Sequence, residues 1–211
     1  MPEPTRVYRS KRREQGAIQT RLDILQAARH LFVTRGYACV TVADIARSAD
    51  VAVKTVYASV GTKTEVLHAL LAADVADSGA DDDLDKVRSM QDLSSVIAHV
   101  AHSIRTNTER FASSSIDLLL SSAASDEKAR EVWDYVIAQY RQALRDVAQH
   151  LVAIGAVAPH LDVDAVADRL WLCFGLRAWR ALVVDCHWSY DDAERLLTRQ
   201  AITLLEDSEP S

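Results

Sequence analysis

Glycine and proline are scarce in this sequence, and their positions indicate its fold class. The 211 residues include six glycines and four prolines, and no proline lies between Thr5 and Ala158. No Asn-Gly or Asp-Gly hairpin signal occurs, and no run of strict polar and apolar alternation marks a strand. Proline and glycine interrupt helices, whereas the abundant alanine, leucine and arginine favour them. We therefore predict an all-α protein, with a core supplied by the 49% of residues that are apolar.

Cysteines and long apolar runs are equally few. The three cysteines, Cys39, Cys173 and Cys186, show neither a C-x-x-C pair nor zinc-site spacing, which favours a reducing compartment. The start of the chain is polar and basic, without the apolar segment of a signal peptide. The longest apolar run, near Leu170–Leu176, is too short to span a bilayer. These features predict a cytoplasmic protein without a membrane segment.

Motifs for catalysis and cofactor binding are also missing. The sequence contains no G-x-S-x-G, G-x-G-x-x-G, P-loop or H-E-x-x-H pattern. The serine clusters at 113–115 and 121–122 have no evident base, and His99 with His102 supply two metal ligands where three or more are needed. We therefore expect a protein that is not an enzyme and that has no cofactor and no metal.

Charge is divided unequally along the chain. The whole protein carries a net charge of −6, but Met1–Lys63 contains 11 basic and 5 acidic residues, a balance of +6, which leaves −12 for the remainder. A basic head on an acidic body is typical of a nucleic-acid-binding domain joined to a second domain. The alternative is a solvated surface whose charge asymmetry has no function.

Apolar residues at helical spacing predict nine helices. Four belong to the first third of the chain: Ala17–Arg35, Val42–Ser48 with Thr41 as its N-cap, Val53–Ala58, and a helix that starts after the capping box Thr62-x-x-Glu65 and ends near Ala76. An acidic linker, Asp77–Asp85, follows. The remaining helices are expected near 92–107, 110–123, 126–154, 163–186 and 190–206.

Residues 41–59 have the pattern of a helix-turn-helix. Val42, Ile45 and Ala46 form a small apolar face, and Asp50 stands in the turn where a left-handed backbone is needed, which aspartate tolerates well. Val56 is expected to pack back against the first helix. The outward residues of the second helix are short and mixed, as reading base edges requires: Val53, Lys54, Thr55, Tyr57 and Ala58. The alternative is a structural three-helix corner without a ligand.

Residues 17–67 resemble the N-terminal domain of the TetR family of bacterial transcriptional regulators. The resemblance lies in Ile24-Leu25-Gln26-Ala27-Ala28-x-x-Leu31-Phe32, Arg35-Gly36-Tyr37, Thr41-Val42-Ala43-Asp44-Ile45-Ala46, Ala49-x-Val51, Thr55-Val56-Tyr57 and Lys63-x-Glu65-x-Leu67. The chain departs from the family at Asp50, where glycine is usual, and at Ser59-Val60, where the family often has His-Phe. Residues 68–211 resemble the family in length and helix order only.

The resemblance implies a DNA-binding transcriptional regulator, most simply a repressor released from a palindromic operator by a small-molecule effector. The DNA contacts it implies are Thr41, Arg47, Val53, Lys54, Thr55, Tyr57, Ser59, Lys63 and Arg21. Residues 1–16 would form a flexible basic arm, carrying Arg6, Arg9, Lys11, Arg12 and Arg13, which either reaches the DNA or serves as a solubilising tail. The alternatives are an activator of the same family, or a helical ligand-binding or interaction protein without specific DNA binding.

Residues 68–211 are then expected to bind the effector and form a homodimer. The two last helices would meet a second chain through Trp171, Gly175, Ala178, Leu182, Leu197, Ala201 and Leu204. Ligand-pocket candidates are Phe111, Leu118, Trp133, Ile137, Tyr140, Trp171, Phe174 and Arg177, although each fits an ordinary core or surface position equally well.

Overall fold

A computed structural model describes residues 5–111 and 127–206, and every regular element in these two ranges is a helix. The N-terminal elements are α1 (Thr5–Arg35), a 3₁₀ turn (Tyr37–Cys39), α2 (Val42–Ser48), α3 (Val53–Ser59) and α4 (Lys63–Ala76). They are followed by α5 (Ala80–Ser89), α6 (Leu93–Phe111), α7 (Glu127–Ala153), α8 (Val163–Phe174), α9 (Leu176–Arg180), a π-helical turn (Ala181–Asp185) and α10 (Tyr190–Glu206). The predicted all-α fold is confirmed.

The described residues form two compact units. The first comprises residues 5–74 and 127–133, and the second comprises residues 75–111 and 134–206. The division falls inside α4 and again inside α7, so each of these helices contributes residues to both units.

The first unit is built on the inner face of α1. Ile24, Ala28 and Phe32 are at most 1% exposed, and they share that core with Ile45 of α2 and Val56 of α3. Side chains three or four residues apart lie on one side of a helix, which is why this spacing buries them together. Burying each large apolar side chain contributes about 1.5–3 kcal/mol, so the short helices α2 and α3 depend on this core.

The second unit is centred on α6 and α10. Ala193, Leu197, Ala201 and Leu205 are spaced by four residues and are at most 3% exposed, because together they form the inner face of α10. Leu197 and Ala201 therefore lie in the core of the chain itself and leave almost no surface for a partner chain. This corrects their expected position in the dimer interface.

The start of α1 differs from the sequence prediction. The helix begins at Thr5, whereas we expected a flexible arm up to residue 16 and a helix from Ala17. Gly16 does not interrupt this helix, since its backbone is not left-handed and the Thr20 hydroxyl donates to its carbonyl at 2.9 Å. A single interior glycine costs a helix only about 1 kcal/mol, which continuation of the helix can offset.

The acidic segment after α4 is also helical. We expected a linker over 77–85, but α5 begins at Ala80, after Gly79 has taken the left-handed conformation at φ 70°. Lys86 and Arg88 form ion pairs with Asp83 and Asp85 one turn earlier. Such pairs convert a run of acidic residues into a stabilised helix face, while Val87 is buried against the core.

The predicted helix over 163–186 is interrupted at Gly175. Its backbone is extended at ψ 154°, and the freed carbonyl of Phe174 accepts a 2.6 Å hydrogen bond from the Tyr140 hydroxyl on α7. A Cβ at position 175 would lie 2.6 Å from the Trp171 carbonyl oxygen, so only glycine fits. Gly175 is itself buried, which removes it from the expected dimer surface.

Other predicted helix boundaries are confirmed. Thr41 caps α2, and the capping box at the start of α4 is present, with the Thr62 backbone donating to Glu65 at 2.6 Å. The helix expected near 92–107 continues to Phe111, and most of the one expected at 110–123 lies outside the described residues.

Candidate nucleic-acid interface

Helix α2 begins in a network centred on the Asp44 carboxylate. One of its oxygens accepts the Thr41 backbone N–H at 3.0 Å and the Thr41 hydroxyl at 2.6 Å, and the other accepts from Arg47 at 2.9 Å. The Thr41 hydroxyl in turn accepts the Asp44 N–H at 3.2 Å. The hydrogen bonds from Thr41 hold the pKa of Asp44 below its ordinary value. Two candidate DNA contacts, Thr41 and Arg47, are thus oriented by a carboxylate that the sequence analysis had not singled out.

The turn between α2 and α3 is fixed by its backbone. Asp50 adopts φ 52°, which confirms the left-handed conformation expected there. The Val51 N–H then bonds to the Ala46 carbonyl at 3.0 Å and closes the turn. Because aspartate reaches this region at modest cost, the chain retains the turn without the glycine usual in the family.

Helix α3 has one buried position and a broad outer surface. Val56 is fully buried, whereas Val53 is 42% and Tyr57 53% exposed, and Lys54 also faces solvent. Thr55 and Ser59 are half-buried. The residues predicted to read bases therefore lie at the molecular surface, where a groove of DNA could meet them.

Arg21 connects α1 to the end of α3. Its guanidinium donates to the Ser59 carbonyl, across 38 residues of sequence. The contact satisfies a carbonyl at the helix C-terminus, and the guanidinium retains further N–H donors for a phosphate. Arg21 and Ser59, both predicted DNA contacts, are thereby brought together.

Lys63 has an internal partner. Its ammonium donates to the Tyr37 carbonyl at 3.1 Å and lies 4.2 Å from the centre of the Tyr37 ring. The Tyr37 hydroxyl also lies 3.2 Å from the Thr64 hydroxyl. Lys63, which we predict to contact a phosphate, therefore also links the 3₁₀ turn to α4. No feature of the sequence indicated this second role.

A half-buried ion pair, also unforeseen, closes the other end of the first unit. Arg29 of α1 donates to both carboxylate oxygens of Asp74 in α4, at 3.0 and 2.5 Å. The Asp74 side chain is only 12% exposed, and such two-point pairs fix orientation as well as distance. The pair clamps α4 against α1.

The residues proposed for a ligand pocket are divided between the two units. Trp133 belongs to the first unit, whereas Ile137, Tyr140, Trp171 and Phe174 belong to the second. Leu118 and the side chain of Phe111 lie outside the described part of the chain, and Arg177 is exposed.

Tyr140 and Trp171 do meet, edge to face, with ring centres 5.4 Å apart. Phe174 is fully buried beside them, and burial raises the pKa of the Tyr140 hydroxyl. Among the predicted pocket residues of the second unit whose side chains the structure describes, these three and Ile137 are buried or half-buried.

A cleft of about 390 Å³ lies between α7 and α8. Arg141 and Arg145 of α7 line one side, and Asp164, Asp168 and Trp171 of α8 line the other. Arg141 bonds to Asp168 at 2.9 Å, and Arg145 bonds to Asp164. Exposed pairs of this kind contribute about 0–1 kcal/mol, and the cleft carries no net charge.

The other residues expected at the dimer interface keep part of their surface. Trp171, Ala178, Leu182 and Leu204 are half-buried in the single chain. Leu172, which had not been proposed, is 63% exposed on α8. An exposed leucine among apolar neighbours adds surface that a partner chain could cover.

His99 and His102, the two histidines considered as metal ligands, each lie beside a carboxylate. His99 lies 3.2 Å from Asp83, and His102 lies 3.3 Å from Glu194. Within residues 5–111 and 127–206, no three metal-ligating side chains cluster together. In the same ranges, no helix has the length and apolar character needed to cross a membrane.

Comparison with known proteins confirms the resemblance proposed for the N-terminal domain. Residues 24–70 match the model for bacterial regulatory proteins of the tetR family. No curated protein matches the chain.

Solved structures match over nearly the whole chain. The fatty acid degradation regulator FadR from Bacillus halodurans is 18% identical, with 91% of this chain and 97% of that chain covered and a TM-score of 0.72. FadR from Bacillus subtilis in complex with stearoyl-CoA is 17% identical, with 87% and 97% covered and a TM-score of 0.71. The SmeT–triclosan complex is 19% identical, with 90% and 93% covered and a TM-score of 0.69. At these identities the likeness is one of fold, and it extends through the C-terminal helices.

Proposed function

We propose that this chain, a TetR-type regulator by its N-terminal domain and its fold, represses transcription by binding a palindromic operator and leaves it when a small effector binds. The observation that carries the proposal is the surface of α3. Its one fully buried residue is Val56, and the outward residues Val53, Lys54 and Tyr57 are exposed to solvent. The helix-turn-helix is held by the Thr41 cap at the start of α2 and by the bond from Arg21 at the end of α3.

Contacts to phosphate would position the domain, and contacts to bases would select the sequence. We assign phosphate contacts to Thr41, Arg47, Tyr57, Ser59, Lys63 and Arg21, which all carry hydrogen-bond donors. We assign base contacts to Val53, Lys54 and Thr55, in the first turn of α3. The charge of +6 over Met1–Lys63 supports this division, since a basic domain is attracted to the phosphate backbone. Five of the 11 basic residues behind this charge lie in the N-terminal part of α1.

We propose a dimer because a palindromic operator contains two half-sites. A helix-turn-helix reads a short half-site, so two copies related by a twofold axis bind a palindrome far more selectively than one. The half-buried Trp171, Ala178, Leu182 and Leu204, together with exposed Leu172, are the surface that we assign to the contact between copies.

The effector is proposed to bind among the C-terminal helices. Two proteins of similar fold have been solved with ligands that contain a large apolar part, the acyl chain of stearoyl-CoA in one and the chlorinated rings of triclosan in the other. The aromatic group formed by Tyr140, Trp171 and Phe174, with Ile137, is the part of the second unit that we assign to such a ligand. Stearoyl-CoA and triclosan are therefore suitable probes in a thermal-shift measurement, where a ligand that binds the native state raises the melting temperature.

The direct test is selection of DNA by the purified full-length protein. A pool of duplexes with a randomised central region is enriched over several rounds, and the enriched duplex is footprinted. The proposal expects one palindromic sequence to emerge, and expects transcription from a promoter that carries it to fall when the protein is added. Enrichment of no sequence would favour a helical ligand-binding protein, and increased transcription would favour an activator.

A further inference from the structure

Helix α3 carries an exposed apolar stripe. Val53 is 42% exposed and Tyr57 is 53% exposed, although both are largely apolar. The two are four residues apart, so their side chains follow one another along the same side of the helix. Val53 contributes little to the core of the first unit, which α3 joins through Val56.

The sequence does not need valine at position 53 for the stability of the helix. A β-branched residue at an exposed helical position forms helix less readily than alanine, lysine or glutamate. Its branched side chain is, however, nearly fixed about χ1 in a helix. A stiff apolar side chain loses little entropy when it makes a contact, so it suits recognition better than a flexible one.

Val53 is also the first residue of α3. In a helix-turn-helix, the residues at the N-terminal end of the second helix are the ones that reach the base edges in the major groove. Lys54 follows it with an exposed ammonium, which can donate to the acceptors of guanine. Val53 has no donor or acceptor and can offer only an apolar surface.

The major groove contains one apolar group, the C5 methyl of thymine. We propose that Val53 contacts a thymine methyl and thereby sets the base preferred at one position of each half-site. The inference rests on the proposed DNA-binding function, and adds to it the chemistry of one operator position. Val53 is in this account a specificity-determining residue, distinct from the phosphate contacts that position the domain.

Uracil provides the test, because it differs from thymine only by the missing methyl. In the duplex enriched by the full-length protein, each thymine of one half-site is replaced singly by uracil. Dissociation constants are measured for the wild type and for Val53→Ala. Val33→Ala is the matched control, since Val33 is 44% exposed in α1, outside the helix-turn-helix.

We expect one thymine at which uracil weakens binding of the wild type about fourfold, the equivalent of burying one methyl-sized group at ~0.8 kcal/mol. Val53→Ala should bind the thymine duplex more weakly and show no further loss with uracil at that position. Val33→Ala should keep the fourfold loss. The uracil series on the wild-type protein needs no variant to fold, and the melting temperature of Val53→Ala checks its fold.

Two results would overturn the proposal while leaving sequence-specific binding intact. One is a wild-type protein indifferent to uracil at every thymine. The other is a uracil penalty that persists undiminished in Val53→Ala, which would assign the methyl contact to a different side chain. If no duplex is enriched at all, the DNA-binding function itself fails, and the inference fails with it.

Discussion

Asp44 organises the start of the helix-turn-helix. Its carboxylate accepts three hydrogen bonds, two from Thr41 and one from Arg47. The sequence predicted Thr41 as the cap because threonine before an apolar helix is a familiar start signal. The reciprocal bond, which the Thr41 backbone N–H donates to the Asp44 carboxylate, was not predicted, because aspartate is shorter than the glutamate or glutamine of the usual capping box.

The capping network should make stability depend on pH in the acid range. The pKa of Asp44 is lowered in the folded state by hydrogen bonds from Thr41, so its contribution is present above the ordinary aspartate value of about 3.9 and is lost as pH falls through the folded pKa. Asp44→Asn should flatten this acid dependence. Urea unfolding between pH 3 and 7 measures this dependence, and an unchanged slope in Asp44→Asn would refute the assignment.

The Thr41 cap itself can be tested at pH 7. Thr41→Ala should lower the free energy of unfolding by about 1 kcal/mol, whereas Thr41→Ser should change it little.

Lys63 and Lys54 are expected to differ in kind. Lys63→Ala removes a hydrogen bond to Tyr37 and an ammonium above its ring, which should lower the free energy of unfolding by about 1–2 kcal/mol. Lys54 is exposed on α3, so Lys54→Ala should leave the free energy of unfolding within about 0.5 kcal/mol of wild type. Denaturant titrations of both variants measure these free energies of unfolding. Equal values would mean that the contact of Lys63 with Tyr37 does not stabilise the protein.

Among the elements, α1 provides the sharpest test. Gly16 lies inside the helix with free space where a Cβ would stand, whereas Gly36 adopts φ 78° at the end of α1. Gly16→Ala should therefore raise helicity and stabilise α1 by up to about 1 kcal/mol, while Gly36→Ala should destabilise the protein. Circular dichroism and denaturant unfolding measure both. No gain from Gly16→Ala would mean that the helix before residue 17 contributes nothing to stability.

Elements with strong local signals were predicted closely. Thr41, Asp50 and the Thr62-x-x-Glu65 box set the boundaries of α2, α3 and α4 through bonds between neighbours in sequence. The break at Gly175 was missed because the Phe174 carbonyl that it frees is bonded by Tyr140, which lies 34 residues before Phe174 in the chain. Helix α5 was missed because the ion pairs that stabilise it were read as a plain acidic run.

The candidate site shows the same limit. The sequence identified Val53, Lys54 and Tyr57 as outward residues, since helical periodicity alone separates them from Val56. The contacts of Arg21 with Ser59 and of Lys63 with Tyr37 span 38 and 26 residues and depend on how α1 and α4 pack. Periodicity also misassigned Leu197 and Ala201, because it marks an apolar face without telling whether the chain or a partner covers it.

For the whole molecule, exposed Leu172 offers a test of the proposed dimer. Leu172→Asp places a charge on the surface that we assign to the partner chain, and burying it there would cost several kcal/mol. The variant should be monomeric at micromolar concentration in light scattering, where the wild type and Val33→Asp should be dimeric.

A variant lacking residues 1–60 should still dimerise, because the surface assigned to the partner chain lies in the C-terminal helices. A dimer in Leu172→Asp, or a wild-type monomer, would contradict the assignment.

The central claim is that the basic N-terminal domain reads DNA sequence through α3 and holds it through phosphate contacts. The most direct measurement is a titration of wild type and Lys54→Ala against the enriched duplex and a scrambled duplex, at two salt concentrations. We predict that the wild type binds the enriched duplex more tightly than the scrambled one. Its affinity should fall steeply with salt, with a logarithmic slope of about −0.9 per phosphate contact. Lys54→Ala should lose more affinity for the enriched duplex than for the scrambled duplex. Equal wild-type affinity for both duplexes, or an equal loss on both in Lys54→Ala, would contradict the account.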